Sequence, residues 1–172
     1  KEHGKDIVDY LQGMFAFAIY DVEEQQLFLA RDRLGIKPLY YTNAETFAFA
    51  SETKAFIDSD IVEPQANMDA IEEYLAFQNS FGSKTFFQDI KQVKPGSTLT
   101  YDIEKETITR NQYWDVSFDN ESSQKPLQKV LRESVHKQMI SDVPVGTYLS
   151  GGFDSTTVTT FAAEQNQDMH SF

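Results

Sequence analysis

Residues 13–21 (GMFAFAIYD) form a near-continuous apolar run, aromatic-rich and too short for a free-standing helix, which predicts a strand buried on both faces. Alternation places Phe15, Phe17 and Ile19 on one face and the small Ala16 and Ala18 on the other. Phe47-Ala48-Phe49-Ala50 repeats that division. Residues 27–30 and 39–41 are also strand-like, with Glu23-Glu24-Gln25-Gln26 as the first hairpin connection and Pro38 at a strand start, where its missing N–H does least harm. A helix is predicted over 5–12, a short one over 53–57, and a third over 68–77. The turn Lys94-Pro95-Gly96 feeds a strand over 97–102, and a last strand spans 107–114. This order is α+β, paired strands first and helices to one side.

The pattern then changes. Residues 115–125 are polar and weakly patterned and read as a linker ahead of Pro126. Leu127, Val130, Leu131, Val135, Gln138 and Met139 recur at helical spacing, with one polar member in the stripe. A buried strand over 143–149, a glycine turn and a helix to about residue 165 follow. Helix, strand, loop, helix, strand is the opening of a doubly wound α/β domain. The expected organisation is 1–114, linker 115–125, and 126–172. The chain opens without methionine inside a predicted helix and stops at Ser171-Phe172, where a strand begins, so both ends read as cuts through a longer protein.

Composition narrows the function. The formal charge of −12 argues against broad nucleic-acid or anionic-membrane binding, which needs basic surface. No apolar run approaches a membrane span and no signal-peptide pattern opens the chain, so a soluble cytoplasmic protein is the expectation. The chain has no cysteine, which excludes disulfides, cysteine-bound metal and a thiol nucleophile within it. His3, His136 and His170 are scattered and fit no ligand spacing. Asn120-Glu121-Ser122 matches a glycosylation acceptor and, without a secretory signal, is read as chance.

The stretch richest in chemistry is Ser150-Gly151-Gly152-Phe153-Asp154-Ser155, set between the predicted strand and a helix beginning near Thr156. A strand, glycine turn and helix aim unpaired backbone N–H groups at an anion. The glycines admit a close approach, the serines add hydroxyl donors, and Asp154 can recruit magnesium. The Walker A spacing and its lysine are absent. The stretch resembles instead the S-G-G-x-D-S pyrophosphate loop of enzymes that cleave ATP between the α and β phosphates.

A second stretch, Ala30-Arg31-Asp32-Arg33-Leu34-Gly35-Ile36-Lys37-Pro38-Leu39, followed by Ser51-Glu52, resembles the R-D-x-x-G-[IR]-[KR]-P-L and S-E signatures of class-II glutamine amidotransferase domains, which have the N-terminal-nucleophile hydrolase fold. The competing reading of Arg31, Asp32 and Lys37 is a local salt-bridge cluster at a hairpin. Together the halves resemble the glutamine-hydrolysing asparagine synthetase family, with Asp142-Val143-Pro144-Val145-Gly146 a specific part of the match. The resemblance implies an amidotransferase sandwich followed by the start of an ATP-pyrophosphatase domain. It implies that glutamine yields ammonia, and that ATP activates the β-carboxylate of aspartate as an acyl adenylate, giving asparagine, AMP and pyrophosphate.

By that resemblance Leu149, Ser150, Gly151, Gly152, Asp154, Ser155 and Thr156 hold ATP, with magnesium at Asp154. Arg31, Asp32, Gly35, Lys37, Ser51 and Glu52 form an interdomain or structural signature. ATP, aspartate and glutamine are the expected small-molecule partners, and a homodimer is left open. The family also passes ammonia through an apolar channel. The faces Ala16/Ala18 and Ala48/Ala50 are read as close sheet packing, with a channel border as the alternative.

Phe153 stands where leucine is usual and is expected to face the core under the loop. Thr156 stands where a second serine is common and keeps a hydroxyl. The family's nucleophile is an amino-terminal cysteine, so no catalytic residue is expected here and the isolated chain is expected to be inactive. A β-lactam synthetase or peptide-tailoring amidotransferase stays open, as does a non-catalytic folding or interaction module. A phosphoribosyl-transfer amidotransferase shares the first signature and lacks the second.

Overall fold

The computed structural model describes residues 2–118, 125–166 and 168–172. The chain divides into two compact units, Lys1–Val116 and Ser117–Phe172. Asn120-Glu121-Ser122 and most of the expected linker lie outside the described residues.

The first unit opens with a 3-10 turn, Gly4–Asp6, running into α1 (Ile7–Tyr10), shorter than the predicted helix. Strands β1 (Ala16–Asp21), β2 (Gln26–Arg31), β6 (Ser97–Asp102) and β7 (Thr107–Gln112) form one antiparallel sheet in the order β1-β2-β6-β7. Strands β3 (Tyr40–Asn43), β4 (Phe47–Ala50) and β5 (Lys91–Gln92) form a second, β4-β3-β5. The β1–β2 turn is closed by the Asp21 carboxylate, which accepts from the N–H groups of Glu23 and Glu24. Helices α2 (Lys54–Asp58) and α3 (Met68–Phe77) follow β4. The Asn67 side chain caps α3 by accepting from the Ala70 N–H, and Gln78 ends it in a left-handed conformation.

Leu29, Leu39, Tyr41, Val93 and Leu99 fill the space between the sheets, with Ala16, Ala18, Phe47, Tyr101 and Ile108 packed around them. Phe47 and Tyr101 stack across the gap with ring centroids 4.1 Å apart. The outer face of the four-stranded sheet carries Phe15, Phe17 and Phe28, which pack on Val8 of α1. The predicted split of large and small residues along β1 is therefore present, but β1 is an edge strand, and Ile19 and Tyr20 are exposed rather than buried on both faces. Ala48 and Ala50 pack on Phe56, Val62 and Ile90, a different core from that of Ala16 and Ala18. The two small-residue faces do not border one shared interior.

The second unit holds α4 (Leu127–Gln138) and α5 (Phe153–Ala163). Arg132 bonds Glu164 at 2.8 Å and lies over the Phe161 ring, tying α4 to α5. The expected buried strand over 143–149 is exposed, with Val143 at 68% of full accessibility. Its pairing is one parallel bridge, Thr147 to Ser171, with main-chain bonds from Thr147 to His170, Phe172 to Thr147 and Leu149 to Phe172. A parallel strand is buried only when neighbours cover both edges and both faces, and among the described residues one edge is paired. Phe153, expected under the loop, is 86% exposed on the first turn of α5.

Candidate functional site

The loop from Leu149 to Thr156 joins that parallel pairing to α5. Gly151 is at φ +79°, a conformation costly to any residue with a Cβ, and open space surrounds the position its Cβ would take. Gly152 is the N-cap and contributes no side chain to the turn. The first intrahelical bond runs from the Thr156 N–H to the Gly152 carbonyl. The N–H groups of Phe153, Asp154 and Ser155 thus precede the helical ladder at the positive end of an 11-residue helix. Ser150 Oγ and Ser155 Oγ lie 3.0 Å apart, and Ser155 Oγ also donates to the Gly152 carbonyl at 3.2 Å. The loop is bound to itself by hydroxyls, and the amides of Phe153, Asp154 and Ser155 stay outside the helical ladder. Asp154 lies in the first turn with its residue exposed, Leu149 is partly exposed, and the Thr156 residue is exposed.

Two contacts fix α5 behind the loop. Thr159 donates its hydroxyl to Thr147 at 3.2 Å, joining helix to incoming strand. His136 Nε2 lies 3.1 Å from the Phe161 carbonyl and 3.4 Å from Glu164. Among the described residues no group of three His, Asp or Glu side chains could hold a metal ion. A magnesium ion at Asp154 would therefore take its other ligands from phosphate and water, as magnesium commonly does.

The Arg31–Asp32 stretch is built the opposite way. Asp32 is 1% exposed and its carboxylate accepts from four main-chain N–H groups, those of Phe15, Leu34, Ile36 and Lys37, at 2.9–3.3 Å. Its own carbonyl accepts from Gly35 and Gly96. Arg31 Nε donates to the Lys37 carbonyl, Nη1 to Gln92 Oε1 and the Val93 carbonyl, and Nη2 to the Gly35 carbonyl. Burial lowers the Arg31 pKa, against the opposing pull of Tyr40 and Asp32. Tyr113 donates to the Arg31 carbonyl, and burial and Asp32 raise its pKa.

The competing reading, a local salt-bridge cluster of Arg31, Asp32 and Lys37, is not the arrangement found. Arg31 gathers carbonyls, Asp32 gathers amides, and Lys37 takes part through its main chain. Gly35, at φ +65°, lies so close to Pro95 and Arg31 that a Cβ would meet Pro95 Cγ at 2.8 Å. Ser51 is exposed, and Glu52 is exposed and pairs with Lys54 at 2.8 Å. The structure brings Arg31, Asp32, Gly35 and Lys37 together, while Ser51 and Glu52 form no hydrogen bond with them. Gly96 was legible only as a turn residue, yet its N–H reaches Asp32 and a Cβ on it would lie 2.4 Å from the Trp114 carbonyl oxygen.

Comparison with known proteins follows the same division. A glutamine amidotransferase domain model matches residues 1–114, and an asparagine synthase model matches residues 126–172. Asparagine synthetase [glutamine-hydrolyzing] 3 of Bacillus subtilis is 37% identical over 171 residues, covering 94% of this chain and 27% of its own length. Asparagine synthetase [glutamine-hydrolyzing] 1 of the same organism is 34% identical, covering all of this chain and 28% of its own length. The chain thus spans between a quarter and a third of these curated relatives. Among solved structures, a glutamine phosphoribosylpyrophosphate amidotransferase from B. subtilis aligns with 98% of this chain and 34% of its own at 18% identity, with a TM-score of 0.39, too low to carry an argument.

Proposed function

Because this chain belongs to the glutamine amidotransferase domain family, joined here to an asparagine synthase segment, we propose that it is part of an ATP-dependent ligase that makes asparagine from aspartate with ammonia drawn from glutamine. On this reading the first unit is part of an N-terminal-nucleophile hydrolase sandwich, and the second begins a doubly wound ATP-pyrophosphatase domain. The observation that carries it is the glycine loop: Gly151 at φ +79° turns the chain ahead of α5, whose first N–H groups, those of Phe153, Asp154 and Ser155, precede the bond from Thr156 to Gly152. The parallel pairing around α5 supports the same reading, since a parallel pair needs such a crossover.

A carboxylate is a poor electrophile, and transfer of the nucleotide to it supplies a leaving group. Pyrophosphate departs in that same transfer, as the carboxylate oxygen takes its place on the α-phosphorus, and fixed amide donors need no reorganisation to receive its negative charge. Ser150 and Ser155 exchange their mutual bond for phosphate oxygens. Asp154 would hold magnesium, whose charge offsets carboxylate–phosphate repulsion. Glutamine hydrolysis is assigned to residues outside this chain, which has no thiol.

The test is a titration of the chain with magnesium pyrophosphate and magnesium ATP, followed by amide NMR and calorimetry. The expected result is movement of the Gly151–Ser155 amides, with dissociation constants of about 1 mM or weaker, equivalent to roughly 4 kcal/mol or less. Weak binding is expected because Leu149 is the one apolar side chain assigned to the nucleotide here. Loop amides that stay fixed, or that move equally in Gly151→Val, overturn the reading.

A further inference from the structure

We propose that the open edge of the sandwich at Arg110 is a binding site for a small oxyanion, phosphate or carboxylate, held by Arg110, Lys91 and the Tyr41 hydroxyl. The site lies in the first unit, on edge strands of both sheets, and is independent of the nucleotide reading. Strand β7 alternates, so that Ile108 and Arg110 turn toward the core side while Thr107 and Thr109 line the cavity on the outer face of the sheet. Lys91 of β5 is in register with Tyr41 of β3, and cross-strand partners share a face. Two cations from two edge strands therefore line one cavity of about 140 Å3, together with Tyr41, Asn43 and Asp89. A second cavity of about 60 Å3, lined by Tyr41 and Arg110 again, adds Lys94 and Ser83.

A single inward-pointing charge on an edge strand is a common guard against edge-to-edge pairing. Here two edges, one from each sheet, each carry such a charge, and the two charges meet in one cavity with Asp89 beside them. Among the described residues none of the ion pairs includes Arg110, Lys91 or Lys94, although acidic residues outnumber basic ones 27 to 15 in the chain. The Arg110 guanidinium is oriented: Nε donates to Tyr41 Oη at 3.1 Å and Cζ lies 5.6 Å from the Tyr41 ring centroid. That leaves Nη1 and Nη2 free, the pair of donors that grips a carboxylate or phosphate.

Tyr41 supplies the buried polar group. It is 3% exposed, it lines both cavities, and no acceptor among the described residues takes its hydroxyl proton. A cavity of this size suits one tetrahedral or planar oxyanion and falls below the roughly 300 Å3 at which drug-sized ligand pockets begin.

The experiment titrates the whole chain with sodium phosphate and, in a second arm, sodium acetate, each against sodium chloride at equal ionic strength, following backbone amides by NMR. Saturable shifts at Tyr41, Lys91 and Arg110 are expected, and the stronger arm identifies the anion class. Arg110→Gln should weaken binding at least about tenfold, since it removes the paired charge-assisted donors. Lys91→Gln, at an exposed position, should weaken it severalfold, while Lys54→Gln, elsewhere on the unit, should leave it unchanged. No saturable shift in either arm up to about 50 mM, some fifty times a 1 mM constant, overturns the proposal. Equal weakening by Lys54→Gln does so too, because the anion would then be reading diffuse charge. Should Arg110→Gln fail to fold, the contrast between Lys91→Gln and Lys54→Gln decides alone.

Discussion

The loop after β2 and the loop before α5 each turn a strand with a glycine at positive φ, yet they distribute their polar groups in opposite ways. In residues 31–37 a buried carboxylate and a buried guanidinium are committed to main-chain groups of the loop, Leu34, Ile36 and Lys37 for Asp32 and Gly35 and Lys37 for Arg31, and to Phe15, Gln92 and Val93 from outside it. In residues 150–155 side chains bond side chains and main-chain carbonyl, and the amides at the start of α5 are left open. The first arrangement makes a shape; the second leaves a place for something else. A signature with two charged residues is thus the structural one, and a signature of glycines and hydroxyls is the one that can bind.

The largest expected effect breaks the first loop. Asp32→Ala leaves the N–H groups of Phe15, Leu34, Ile36 and Lys37 without the buried carboxylate that accepts from them. Unsatisfied buried donors cost about 1–3 kcal/mol each, and with partial relaxation the first unit should lose about 3–5 kcal/mol. Trp114, the one tryptophan, lies in that unit, so its fluorescence in a urea titration reads the loss. A change below about 1 kcal/mol would mean the carboxylate does not organise the loop.

Much of this was legible beforehand, and unevenly. The α3 bounds and β6 agree with the sequence reading, β6 through the Pro95-Gly96 turn ahead of it, while the Asn67 cap of α3 is a signal that reading did not use. Strand β5 gave none, because two polar residues become a strand only through pairing with Tyr40 and Tyr41. The segment 143–149 misled in the other direction, since its apolar run describes a burial that neighbours must provide. The Asp32 role was hidden for a related reason. A charged pair in sequence suggests mutual attraction, whereas the fold brings to Arg31 the Val93 carbonyl from 62 positions away and to Asp32 the Phe15 N–H from 17 positions away.

A paired substitution sharpens the comparison at intermediate size. Gly96→Ala would place a methyl 2.4 Å from the Trp114 carbonyl oxygen at φ +59°, so backbone must move. A loss of about 2–4 kcal/mol is expected by the same fluorescence measurement. Gly151→Ala faces the same conformational penalty at φ +79° with nothing within 4 Å, so its cost should be only about 1–2 kcal/mol. Amide hydrogen exchange along α5 reads that change. Equal costs at the two glycines would mean that conformation, and not neighbours, sets both.

The smallest effect is expected from Ser155→Ala. The substitution removes the hydroxyl shared with Ser150 and the bond to the Gly152 carbonyl, both exposed to water that can replace them. Exposed hydrogen bonds contribute little net free energy, so exchange protection in α5 should fall by no more than about 0.5 kcal/mol. The bond from the Thr156 N–H to the Gly152 carbonyl is main-chain and survives the change, which keeps the helix start in place. The substitution should therefore separate holding from binding: α5 stays protected while the loop's response to magnesium pyrophosphate weakens. A loss above about 1.5 kcal/mol would show this loop to be braced by its side chains as the first one is, and the contrast between the two loops would fail.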